Sequence, residues 1–449
     1  MKNVPIPLTL VLYITFPLSV LISCSLQKQI SRSATKSILK DPSLTKAHLG
    51  ISIFEPASTK FWYNYQGDHY FVPASNTKIP TCYAAMKYLG DSLAGILKLE
   101  NDTAVFFIPT GDPTLLDPAF SNQPVIRYLQ NTKKKVYATD SRWNEEALGS
   151  GWSWNDFNES YMAERSPMPV YDNLLKWVQE KPNADPAVIY SIPEVDWNVD
   201  FDTIPSNTFS VTRTLGANKY RITEGKEKFK ETNVPFVTNG INTALELLSD
   251  TVNKIITLTS AKQAHEFLFN KSASLTPIHS QSTDSLLKPM MHRSDNFFAE
   301  QALLMVSNEL LGVMNDEKII DTLLKTDFRD LPQKPVWVDG SGLSRYNLFS
   351  PEDFVFLLDK MKNDFGLERI KTIFPTGNEG TLNNYYVSAK GQIFAKTGSL
   401  SGVVTISGFL YTKKNKLLIF SVLVNNHNAS ATAIRRVVEK FILGVRDRY

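Results

Sequence analysis

Strands at both ends of the chain constrain its fold more than any other feature. Near the C-terminus, "GQIFAKTG" (391–398), "GVVTISGFLYT" (402–412) and "KLLIFSVLVNN" (416–426) read as three strands, the last two joined at Lys413-Lys414-Asn415. Near the N-terminus, Gly50–Phe54 and Lys60–Tyr65 flank Pro-Ala-Ser-Thr and read as a hairpin. A terminal amphipathic helix follows the last strand, with Ile434, Val437, Val438, Phe441 and Ile442 on one face. Terminal strands with helices between them predict an α+β domain whose antiparallel sheet is closed by both ends of the chain.

The 449 residues, 43% of them hydrophobic, are enough for two or three domains. Between about Gly90 and Asn270 the texture changes. Short runs such as "TAVFFIPTG", "KKVYATD", "AVIYSIP", "TFSVTRTL" and "KYRITEG" alternate with turn residues. We read 90–270 as an inserted region of one or two small, mostly β domains that splits an outer domain formed by 48–89 and 271–449.

The start of the chain, "MKNVPIPLTLVLYITFPLSVLISCSLQKQ", is a targeting segment: one lysine precedes about twenty apolar residues. Pro5, Pro7 and Pro17 argue against a permanent membrane helix. "LISC" resembles a bacterial lipoprotein cleavage box, which predicts a signal peptide over 1–24, lipid on Cys24 and a polar tether with a short helix over 25–47. A cleaved signal or an uncleaved anchor are the alternatives. With Cys24 lipidated, Cys82 has no disulfide partner, and it reads as a small core residue.

Charge excludes some functions. Lys plus Arg (48) nearly balance Asp plus Glu (45) and are spread along the chain, so no nucleic-acid partner is expected. Six scattered histidines without metal-ligand spacing predict no metal, and nothing calls for a cofactor.

Chemistry enters with "VPASNTKIPTCYAAM". Ser75 stands three residues before Lys78, where a hairpin gives way to a helix from Thr77 to about Leu89. On a helix, i and i+3 share a face, so the amine reaches the hydroxyl. A lysine serves as base only when burial or nearby positive charge lowers its proton affinity. The same spacing recurs at Ser33/Lys36, Ser37/Lys40, Ser43/Lys46 and Ser285/Lys288, so alone it is weak. Ser294-Asp295-Asn296 precedes an apolar helix, where a plain capping turn is also expected. Lys396-Thr397-Gly398-Ser399 ends a strand; the glycine allows close approach, and the lysine and hydroxyls suit a carboxylate. The order S-x-x-K, S-x-N, K-T-G is what makes three weak signals strong, because it is the set of penicillin-binding proteins and class A β-lactamases.

From about Leu49 to the last helix the chain resembles the exported serine D-alanyl-D-alanine carboxypeptidases of the penicillin-binding protein 4 type, the class C low-molecular-mass group. "PTGDPTL" (109–115), "GWSWNDFNESYMA" (151–163), "DGSGLSRYNLFSP" (339–351) and "PTGNEGTL" (375–382) carry the resemblance, as do the ~215 residues between Lys78 and Ser294. The resemblance implies a DD-peptidase acting on peptidoglycan stem peptides at the cell envelope, acylated on Ser75 by substrate or by β-lactams. It implies Lys78 as base, Ser294 as proton relay to the leaving amine, Lys396 as the group that holds the lysine–serine network at the right potential, and an oxyanion hole from the N–H groups of Ser75 and Ser399. Asn296 would bind substrate amide, and Thr397, Gly398 and Ser399 its terminal carboxylate. Asp156 and Arg345 would border the stem-peptide side chain, with a turn aspartate and a surface arginine as the plain alternatives. Trp152 and Trp154 read as packing residues. The family often has two acids where this chain has Asn155-Asp156. A β-lactamase-like hydrolase and a non-catalytic wall-binding lipoprotein are the competing readings.

Overall fold

The computed structural model describes residues 28–182, 186–260, 262, 263, 266 and 275–449. Cys24 and the signal peptide expected over 1–24 lie outside them. The sheet built from both ends is present, antiparallel throughout, in the order Ile393–Leu400, Val403–Tyr411, Leu417–Asn425, His48–Glu55, Lys60–Tyr65. Val403–Tyr411, Leu417–Asn425 and His48–Glu55 are buried along nearly their whole length because both faces are covered. Ile51, Ile53, Ile406 and Val422 pack under Ile434, Val438 and Phe441 of the terminal helix Ala431–Arg448. Phe394, Phe409, Ile419 and Leu423 pack on the opposite side, against the helices Lys78–Tyr88, Thr283–His292, Asn296–Leu311 and Pro351–Phe365. Burial of Cys82 in that second layer pushes its thiol up. Among the described residues no helix is long and apolar enough to cross a membrane.

Part of the segment expected as a tether with a short helix packs on the outer domain. Residues 28–39 are helical and dock on the terminal helix, with Ile30, Ala34 and Ile38 fully buried and Tyr449 donating to Gln29. The apolar spacing i, i+4, i+8 is a helix stripe hidden in a polar composition.

The insertion leaves and re-enters through paired strands. Ser92–Glu100 runs antiparallel to Thr276–Ser282, so that strand belongs to the inserted region rather than to the outer domain expected from 271. Both sit in a five-stranded sheet with Ala104–Pro109, Lys135–Ala138 and Ile256–Leu258, packed against helices Pro124–Asn131 and Asn242–Val252. Two three-stranded sheets complete the insertion: one of Leu174–Glu180, Val188–Ile192 and Phe229–Pro235, the other of Asn198–Phe201, Ser210–Arg213 and Lys219–Thr223.

Candidate active site

Ser75 sits in a tight turn that the backbone reaches only under constraint. Ala74 has φ 48°, a left-handed value rare outside glycine, and Ala74–Thr77 forms a 3-10 turn feeding the Lys78–Tyr88 helix, which therefore begins one residue later than expected. Two glycines make this turn possible. A Cβ on Gly342 (φ 82°) would lie 1.9 Å from the Ala74 carbonyl oxygen. One on Gly398 would lie 2.9 Å from the Ser75 nitrogen and 2.3 Å from Thr405 Oγ1. The strand carrying Lys396 can approach the Ser75 N–H only because residue 398 has no side chain. Thr405 Oγ1 donates to the Pro73 carbonyl (2.8 Å) and Asn76 Nδ2 to Ser407 Oγ (2.7 Å), which fastens the turn to the sheet.

Lys78 is fully buried and its amine meets three acceptors: Ser341 carbonyl oxygen (2.7 Å), Asn296 Oδ1 (2.7 Å) and Ser75 Oγ (3.2 Å). The first two are permanent acceptors. A neutral amine keeps two N–H bonds, so losing a proton leaves its lone pair directed at Ser75 Oγ. Burial lowers the Lys78 pKa to about 8, against the opposing pull of Asp339, Glu300 and Asp295.

Lys396 closes the network from the other side. Its Nζ donates to Ser294 Oγ (2.8 Å) and to the Thr397 carbonyl (2.7 Å), and burial followed by the charge of Lys78 holds its pKa well below the lysine range. Ser294 has φ 62°, while Asp295 accepts from the Phe298 N–H at 3.0 Å. The turn is thus both the helix cap that local rules predict and the bearer of two inward-facing groups. The three motifs converge in one hydrogen-bonded cluster, in which Lys78 reaches Asn296 and Lys396 reaches Ser294.

Two buried acids that sequence reasoning missed frame this cluster. Glu300 Oε1 accepts the Ser341 N–H (2.7 Å), one residue link from the carbonyl that holds Lys78. It follows Asn296 by four positions, one helical turn, and that spacing is the signal that could have found it. Burial and the nearby Asp339 raise Glu300 to about 7. Asp339 takes N–H groups from Gly342 (2.8 Å) and Ser344 (2.7 Å), the Asn347 amide (2.8 Å) and the Trp152 indole (3.0 Å). Trp152 is therefore a donor that ties the insertion to this loop, and not packing alone. Trp154 is 74% exposed, which corrects its reading as packing.

The remaining candidates line the open side. Ile393–Leu400 is an edge strand, Thr397 is half-buried and Ser399 exposed. Asp156 is half-buried on a 3-10 turn and accepts from Tyr161, whose hydroxyl is pushed up to about 12 by burial and that carboxylate. Asn296 Nδ2 donates to the Tyr161 carbonyl (3.0 Å), so Asp156 lies one residue contact from the cluster. Arg345 is exposed and donates to the Ser401 carbonyl (2.9 Å), just past Ser399. Among the described residues no group of three His, Cys, Asp or Glu side chains is arranged to hold a metal.

Residues 31–442 match the D-Ala-D-Ala carboxypeptidase 3 (S13) family. The chain is 26% identical to the D-alanyl-D-alanine carboxypeptidase of Actinomadura sp. (strain R39), over 89% of this chain and 82% of that one. Among solved structures it is similar to penicillin-binding protein 4 (dacB) from Haemophilus influenzae, with a TM-score of 0.69 at 20% identity over 93% of this chain and 98% of that chain. The same Haemophilus protein complexed with a β-lactam gives a TM-score of 0.67 at 18% identity, covering 93% of this chain and 99% of that one.

Proposed function

The chain belongs to the D-Ala-D-Ala carboxypeptidase 3 (S13) family, and from that premise we propose that Ser75 is the nucleophile of a serine D-Ala-D-Ala carboxypeptidase working on peptidoglycan stem peptides. The observation that carries this reading is the Lys78 amine, buried, held by two fixed acceptors and aimed at Ser75 Oγ. Neutral Lys78 takes the Ser75 proton as Oγ attacks the carbonyl between the two D-alanines. The N–H groups of Ser75 and Ser399 receive the oxyanion, the interaction that usually contributes most in acyl transfer. As the C–N bond breaks, the proton passes through Ser294, held by Lys396, to the departing amine. Terminal D-alanine leaves, and water then hydrolyses the acyl-enzyme. Asn296 binds the substrate amide, while Thr397 and Ser399 hold its carboxylate.

Three finer readings extend this. A β-lactam acylates Ser75 in the same way, a reading supported by this chain's likeness in fold to a penicillin-binding protein complexed with a β-lactam. Peptide cross-links are cut by the same acyl transfer with a larger leaving amine; Asp156 pairs with the ammonium of a diaminopimelate side chain and Arg345 with its carboxylate. Cys24 carries lipid and holds the enzyme at the envelope, a reading that rests on "LISC" alone.

The test is labelling by fluorescent penicillin beside D-alanine release from a pentapeptide and splitting of a cross-linked dimer into its two peptides. Ser75→Ala abolishes labelling and lowers release by about three orders of magnitude or more. Folded wild-type protein that neither labels nor releases D-alanine refutes the enzyme, and labelling that survives Ser75→Ala refutes the nucleophile.

A further inference from the structure

The carboxylate subsite at Thr397 and Ser399 contains two hydroxyls and no free charge from its own strand. Lys396 donates to Ser294 and to the Thr397 carbonyl, is fully buried, and is held below its usual proton affinity by burial and by Lys78. Strand alternation also turns it away. Ile393 and Ala395 belong to the face under the terminal helix, and Thr397 and Ser399 continue that row, whereas Phe394 packs on the other face and Lys396 follows it. Arg345 is engaged with the Ser401 carbonyl beyond this row, and a carboxylate resting on Thr397 and Ser399 is open to a cation from the terminal-helix side.

One is in place. Arg435, in the second turn of Ala431–Arg448, donates from Nη2 to Ser399 Oγ at 2.7 Å. It lines a crevice with Thr397, Thr405 and Tyr385. Its neighbour Arg436 is neutralised by Glu439 at 2.6 Å, but among the described residues Arg435 has no carboxylate within ion-pair distance. A guanidinium without an acid, resting on an exposed hydroxyl at the end of an edge strand, is built to receive an anion.

We propose that Arg435 is the cationic member of the subsite that binds the substrate's terminal carboxylate, with Thr397 and Ser399 as its hydroxyl members. The proposal rests on the DD-peptidase reading and names a specificity-determining residue for it. One guanidinium N–H lies on Ser399, and the others are left to take a carboxylate oxygen. The terminal helix, remote in sequence from the three motifs, thereby supplies the preference for a free chain end.

The experiment uses two thioesters of an acylated D-alanine, one with thioglycolate and one with its amide as leaving group, with released thiol as readout. The wild-type enzyme prefers the acid. Arg435→Gln lowers kcat/KM for the acid about 10- to 100-fold, the range lost with one charge-assisted hydrogen bond, and changes the amide by less than about 3-fold. Arg435→Lys restores part of the preference, and its intermediate ratio serves should the glutamine variant fail to fold. An acid-to-amide ratio unchanged in either folded variant overturns the role of Arg435. Wild-type protein inert to both thioesters and to D-Ala-D-Ala peptides overturns the peptidase reading instead, so the two failures are distinguishable.

Discussion

At the scale of single residues, a buried amine decides when this site is active. An ordinary lysine at pH 7 is neutral in roughly one molecule in several thousand; at a pKa of about 8 the neutral fraction is roughly a tenth. That gain comes from burial, and Asp339 and Glu300 limit it by favouring the charged form. The sign follows directly. Only neutral Lys78 accepts the Ser75 proton, so the rate of penicillin acylation rises with pH, bends near pH 8 and is flat above it. Lys78→Arg keeps a cation in place but cannot give it up, so acylation falls about a thousandfold below the wild-type plateau reached above pH 8, and the bend disappears. A wild-type profile that falls between pH 6 and 8 contradicts the assignment of the base. The spacing of Ser75 and Lys78 was readable in the sequence because i, i+3 geometry is local. Glu300 and Asp339 were not singled out, since what they do depends on a loop more than two hundred residues from Lys78 folding beneath it.

At the scale of elements, the turn Tyr171–Asn173 holds three successive residues at positive φ (54°, 58° and 53°) and presses Asp172 against Asp117. Asp117 Oδ2 and Asp172 Oδ1 are buried without another partner, which fits one proton shared between two carboxyls. Burial, then Asp117 and Asp295, raise Asp172 to about 8, and Arg293 offsets this only in part. A folded-state pKa above the unfolded value near 4 means that the native state binds the extra proton between them. This contribution to stability is full below about pH 4 and is lost as pH rises through about 8. Asp172→Asn keeps a donor for Asp117 and tolerates the left-handed backbone. Thermal melts should show little difference from wild type at pH 5 and a more stable variant at pH 9; an equal difference at both values removes the shared proton from the account. Elements were otherwise visible where burial is uniform or where β-branched and aromatic residues cluster between turns, as in Val188–Ile192 and Lys219–Thr223. The three C-terminal strands stood out because both faces are covered, whereas Leu174–Glu180 and Phe229–Pro235 mix charges into a half-exposed sheet and left no strand pattern. The docking of the helix over 28–39 was not foreseen because its buried stripe is only Ile30, Ala34 and Ile38 among polar neighbours.

At the scale of the whole molecule, the insertion is joined to the motif helices by Arg165, a fully buried guanidinium. It donates to Asp316 (2.6 Å), Glu145 (3.1 Å) and the Glu146 carbonyl (3.0 Å), with Glu300 at 3.5 Å. Glu145 and Arg165 come from the insertion, and Glu300 and Asp316 from helices of the outer domain. No composition or periodicity argument could have found this junction, because its four members are scattered over more than 170 residues and acquire meaning only when the two domains meet. Removing the cation leaves three acids facing one another away from water, a change that costs about 3 to 5 kcal/mol when a buried pair loses one partner. Arg165→Met therefore shifts the urea unfolding midpoint sharply downward. Because Glu300 also holds the Ser341 N–H beneath Lys78, the same substitution moves the pH bend of penicillin acylation, since a Glu300 without its guanidinium is more often protonated and holds the lysine proton less tightly. The bend moves to lower pH. Arg165→Met together with Glu300→Gln should recover part of the lost stability but leave the bend low; a double variant as unstable as the single one would show that the ion cluster does not couple the insertion to the site.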